Sequence, residues 1–157
     1  MKKYILIIFL ISLFSCKSKK IAGTSLLDHK YLAIEIINSK DDIKFNIKNL
    51  SNNNLYIKTT KNLDIEKWDN EKWIPLRILD YPCDAPGARP SEYLAIASGN
   101  IITKKWDKKE SWCGKQTIHG IRKTEEKFVD KGRFRIRIIY GSHMNTTQNA
   151  YKEFEIK

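Results

Sequence analysis

Cysteine, proline, glycine, histidine and methionine are all scarce in this chain, at 3, 4, 7, 3 and 2 of 157 residues. The histidines, His29, His119 and His143, stand far apart in no metal-ligand spacing, so no metal site is expected. The few glycines build no phosphate-binding loop, and Gly141-Ser142-His143-Met144 lacks the second glycine of a nucleophile elbow. The paired acids Asp41-Asp42 and Glu125-Glu126 are sequence neighbours, which on strands point to opposite faces and cannot share a substrate. Beyond the amino terminus no stretch sustains helical spacing, and no repeat or low-complexity block divides the chain. These absences remove the usual catalytic and cofactor arrangements. The chain is expected to be no enzyme, with no catalytic residues and no cofactor.

What is present begins with MKKYILIIFLISLFSC. Lys2 and Lys3 form a positive n-region, Tyr4 to Phe14 an uncharged apolar run, and Leu13-Phe14-Ser15-Cys16 stands in the place of a lipobox. As a helix that run rises only about 16 Å, roughly half a hydrocarbon core, which suits an export signal better than a permanent span. Residues 1–15 therefore read as a cleaved signal helix and Cys16 as the acylated first residue of the mature chain. Two or more acyl chains exceed the threshold for stable anchoring, so the membrane is an expected partner through Cys16. Residues 16–28 read as the lipidated cysteine and a tether. Lipoproteins sent to the cell surface resemble one another in acidic residues after the cysteine. Lys17-Ser18-Lys19-Lys20 is the reverse, favouring a periplasm-facing place in the envelope.

Acidic residues are the minority charge. Without Lys2 and Lys3 the 29 basic residues become 27 against 18 acidic ones, a formal charge of +9. Most of the cations are lysines dispersed along the chain, so nucleic acid is disfavoured as a partner. The densest arginines, Arg133, Arg135 and Arg137, alternate with Phe134, Ile136 and Ile138. They form a candidate anion stripe on the outer face of one strand.

Residues 29–157 are enough for one domain. Its apolar residues recur with period two: Leu32, Ile34 and Ile36, then Ile43, Phe45 and Ile47. Further strands are expected at Leu55–Thr59, Leu63–Trp68, Lys72–Leu76, Tyr93–Ala97, Ile101–Trp106, Gly132–Tyr140 and Tyr151–Ile156. Asp69-Asn70-Glu71 marks a hairpin, and 81–90 a loop rich in proline and glycine. The fold expected is all-β, an antiparallel sandwich with Gly132–Tyr140 at its centre.

IKFNIKNLSNNNLYIKT resembles the second and third strands of bacterial immunoglobulin-like lipoprotein domains, and GRFRIRIIY with NAYKEFEIK their last two strands. The layout is similar to that of the intracellular proteinase inhibitor domains of bacilli. The resemblance implies a single immunoglobulin-like β-sandwich. By analogy Tyr140 could tie a loop through its hydroxyl, and Trp112 could pack on a disulfide.

With Cys16 acylated, Cys83 and Cys113 remain, an even number for an oxidising compartment, and a bond between them is expected. A nucleophilic Cys113 with His119 as base is the disfavoured alternative. Of four tryptophans, Trp73 and Trp112 are expected in the core, while Trp68 and Trp106 are candidates for a binding surface with Asp84 and Arg89. The expected function is a non-catalytic envelope lipoprotein that binds a protein or glycan through loops 81–92 and 107–127. The alternatives are a protease inhibitor acting through Asp84–Arg89 and a basic module adhering to polyanions or membrane.

Overall fold

The computed structural model describes residues 30–59, 63–83, 92–116, 118, 120 and 122–157. The signal, Cys16, the tether, Asp84 and Arg89 lie outside the described residues. Among the described residues there is no helix. The eleven strands that these residues form pair antiparallel throughout in three sheets.

The first sheet joins β1 (Leu32–Asn38), β2 (Ile43–Asn49) and β7 (Ile101–Trp106) in the order β1-β2-β7. Alternation sets its two faces. Ile43, Phe45 and Ile47 are buried, while Lys44 and Lys48 face solvent. Register then puts Ile102, Lys104 and Trp106 inward beside them. Burial holds the Lys104 ammonium below the ordinary lysine range, an effect that Asp80 opposes.

The second sheet is organised by β10 (Gly132–His143), whose Phe134, Ile136, Ile138 and Tyr140 are buried. Burying each such side chain contributes about 2 kcal/mol. One edge of β10 carries β11 (Thr146–Ile156). Its other edge carries two strands in turn: β4 (Ile65–Asp69) against 134–136 and β3 (Leu55–Lys58) against Tyr140 and Gly141. From Ile136 to Tyr140 the partner chain covers twice as many positions, Ile65 back to Ile57, so β3 and β4 act as one interrupted strand. β5 (Lys72–Pro75) and β6 (Tyr93–Ile96) complete the sheet outside β4 and β3.

One core joins the two sheets. Phe45 meets Phe154 edge-on at 5.5 Å, Phe154 stacks on Phe134 at 5.7 Å, and Trp106 meets Phe134 at 5.9 Å. Trp106 is thus a core residue at 2% exposure, which corrects its place among the surface candidates. Its indole N–H donates to the Lys109 carbonyl, 2.8 Å, so burial leaves no polar atom of the ring unsatisfied. Trp73 and Trp112, expected inside, are instead half-buried on outer faces. The Tyr140 hydroxyl donates to Oε1 of Gln148, the residue opposite it on β11, at 3.3 Å.

The remaining strands, β8 (Lys109–Gln116) and β9 (Arg122–Phe128), pair with each other in a sheet of their own. Segment 107–127, expected as a loop, is therefore largely a hairpin. Neither strand contributes to the buried core among the described residues. KESWCGKQ and RKTEEKF are polar on both faces, and this is why apolar alternation did not reveal them.

Candidate binding surface

The hairpin is held against the body from one side. Beyond β5 the chain runs along β8: Ser111 N–H donates to the Arg77 carbonyl at 2.8 Å, and Leu79 N–H to Ser111 Oγ at 2.8 Å. Cys83 N–H donates to Thr124 Oγ1 on β9 at 3.0 Å. The Cys83–Cys113 disulfide, with Cα atoms 5.6 Å apart, closes the arrangement as the cysteine count indicates. Bonded in this way, Cys113 has no thiol to act as a nucleophile.

Alternation divides the hairpin into two faces. On one, Trp112 lies opposite Glu125, and its indole N–H donates to the Glu125 carboxylate at 2.8 Å. The Arg77 guanidinium sits 4.6 Å from the Trp112 ring centre and 3.9 Å from Glu110. Gly114 gives the Glu125 side chain its room, since a Cβ there would lie 2.3 Å from Oε1. On the other face Lys109 bonds Glu126 at 2.7 Å and stands 5.2 Å from the ring centre of Phe128, which is 65% exposed. The bond to Glu126 holds the Lys109 ammonium above its ordinary range. Ile118, between the two strands, is fully exposed. The hairpin thus shows a cation-capped tryptophan, carboxylates, and two exposed apolar side chains. These groups can bind a polar partner with an apolar patch.

The arginine stripe is where alternation placed it, on the outer face of β10, with every member paired. Arg133 binds Glu153 through Nε at 2.9 Å, Arg135 binds Glu66, and Arg137 binds Asp64 at 2.7 Å. Glu66 and Asp64 belong to β4 and the residue before it, strand neighbours that a sequence scan cannot bring together. Arg135 also lies 4.5 Å from the Trp73 ring centre and 4.3 Å from that of Tyr151, and Arg133 lies 5.6 Å from both Trp68 and Trp73. This is an interlocked lattice of arginine, aromatic and carboxylate side chains, its guanidinium groups occupied by the protein's own acids. Trp68 sits at its rim, 38% exposed. Among the described residues no group of three histidine, cysteine, aspartate or glutamate side chains could hold a metal ion.

No protein-family model matches this chain, and no curated protein matches it at a significant level.

Proposed function

We propose that this chain is an envelope lipoprotein, anchored through acyl chains on Cys16, whose immunoglobulin-like sandwich presents the disulfide-clamped hairpin to a protein or glycan partner without catalysing a reaction. One observation carries the reading. The chain spends β8 and β9 on a hairpin that adds nothing to the buried core among the described residues, yet fixes it to the body with a disulfide and with hydrogen bonds that involve Arg77, Leu79, Cys83 and Trp106. Rigid exposed surface of this kind lowers the ordering cost of binding. The shared core of the two sheets and the central place of β10 support the sandwich.

The test places a photo-crosslinking amino acid at Trp112, at Phe128 and, as a control, at Lys44 on the outer face of β2, in cells with an intact envelope. A discrete adduct from positions 112 and 128 and none from 44 is expected. A protease in that adduct assigns the inhibitor function instead, and glycosidase sensitivity identifies a glycan. No adduct, or equal adducts at all three positions, refutes the hairpin as the binding surface. Loss of membrane sedimentation in Cys16→Ser checks the anchor.

A further inference from the structure

Charge in this protein is segregated along the strand axis. Three segments, 49–57, 93–103 and 138–151, contain no aspartate, glutamate, lysine or arginine, in a chain where these make up 30% of residues. The topology brings all three to one end. Asn49 N–H donates to the Asn100 carbonyl, Ser98 Oγ to the Ser51 carbonyl, Leu55 pairs with Ile96, and Tyr140 with Ile57. The β10–β11 turn, where His143 pairs with Thr146, closes the same end. At the opposite end, among the described residues, the turns are charged: Lys40-Asp41-Asp42, Asp69-Asn70-Glu71, Asp107-Lys108 and Asp130-Lys131.

The uncharged end is not uniformly polar. Tyr31, Leu50, Ile101 and Met144 are 42, 51, 56 and 53% exposed there. It is also where the chain enters the domain, since Leu50 N–H donates to the Tyr31 carbonyl. Among the described residues Lys30 and Lys48 border it, cations that anionic headgroups attract. The Lys30 ammonium stands 5.4 Å from the Tyr31 ring centre.

We propose that this uncharged end docks on the lipid bilayer that holds the anchor, with Tyr31, Leu50, Ile101 and Met144 entering the headgroup and upper chain region. The inference rests on the anchored reading above. From Cys16 to Lys30 the tether spans at most roughly 50 Å, so it permits every orientation and the surface decides among them. Seating the charged end would strip water from many ions, whereas the uncharged end hides apolar groups and asparagine and serine groups that headgroups can hydrogen-bond. Docking there turns the opposite end away from the membrane.

The test uses the mature lipidated protein in phosphatidylcholine vesicles, with Leu50→Trp, Ile101→Trp or, at the charged end, Lys40→Trp. Emission of the added tryptophan, taken as the difference from the parent protein with its four native tryptophans, is read with and without chain-brominated lipid, and intact mass reports acylation. Tryptophans at 50 and 101 should lose most of their emission and that at 40 should keep it. The pattern should not change between about 0.05 and 0.5 M salt, because the contact is apolar. Acylated, vesicle-bound protein whose residues 50 and 101 are unquenched overturns the docking and leaves the anchor standing. Protein without acyl chains that still binds with 50 and 101 quenched upholds the docking and overturns the anchor; protein that does neither overturns both. A concentration-dependent blue shift at 50 and 101 without vesicles puts a second copy on this end and overturns the proposal.

Discussion

Trp68 and Trp73 stand directly opposite each other on β4 and β5, their rings meeting edge-to-face at 5.0 Å and 64°. Between them the chain reverses through Asn70 and Glu71, at φ 43° and 69°. Positive φ at both positions is the type I′ turn that asparagine-glycine prefers, and a glutamate there bears a steric cost of about 1 kcal/mol. Glu71→Gly should stabilise the domain by about that amount, read as a higher urea midpoint at unchanged slope.

Asn49 is fully buried, and its side chain uses all of its hydrogen-bonding capacity. Nδ2 donates to the carbonyls of Asn53 at 2.7 Å and Ile96 at 2.8 Å, while Oδ1 accepts from Ser51 N–H at 2.8 Å and Ser51 Oγ at 2.7 Å. Asn49→Ala strands several of these partners and should cost about 3 kcal/mol. Asn49→Asp loses both donors and buries a carboxylate, so it should be worse than alanine at neutral pH and recover in acid. Denaturation at two pH values separates them.

Gly141 lies where the register of β10 and β11 shifts, between Tyr140 and His143. A Cβ at this position would lie 1.7 Å from the Thr146 carbonyl oxygen, which is backbone and cannot swing aside. Gly141→Ala should destabilise the domain by about 3 kcal/mol, the upper end of ordinary overpacking. Thermal unfolding checks it.

Asp42 and Lys105 pair across the β2 and β7 ends at 2.8 Å. Bonds from Lys105 and then Ser39 lower the Asp42 pKa, and the bond to Asp42 raises that of Lys105. A depressed carboxylate stabilises above its unfolded value, about 3.9, and loses this as pH falls through the folded one; a raised lysine stabilises below about 10.4 and loses this as pH rises. The pair therefore contributes fully between these limits. Asp42→Asn should flatten the acid fall in stability below about pH 4. A urea series across pH 2 to 6 measures it.

Reduction of the disulfide should act locally. The closed loop has a sequence separation of 30, for which chain entropy gives very roughly 3 to 4 kcal/mol. Because β8 and β9 add nothing to the buried core, hydrogen exchange in Cys83→Ser/Cys113→Ser should rise in the hairpin and stay slow at Phe134, Ile136 and Ile138.

The sequence made the strands of the core legible because each buries one face. Ile43, Phe45 and Ile47, and likewise Phe134, Ile136 and Ile138, alternate in the structure as they do in the chain. β8 and β9 escaped this reading because a strand that buries neither face carries no period; pairing and the disulfide hold them. Among the tryptophans, Trp106 has the parity of the inward Ile102, but Lys104 between them obscured the signal. Trp73 took the outer face by pairing with Trp68, whose neighbour at two positions, Glu66, binds Arg135. The three arginines were placed on the correct face, while their carboxylate partners come from β4, from Asp64 just before it and from β11, and are joined to them only by tertiary register.

The placing of β10 also sets when the chain can fold. β3, β4 and β11 all dock on a strand that begins only at Gly132, so a chain emerging from its amino terminus holds its apolar faces uncovered until the last few strands arrive. Such long-range pairing folds slowly. On the export reading proposed above, that delay would suit passage across the membrane as an extended thread, since the strands that complete the core would follow the rest of the domain through.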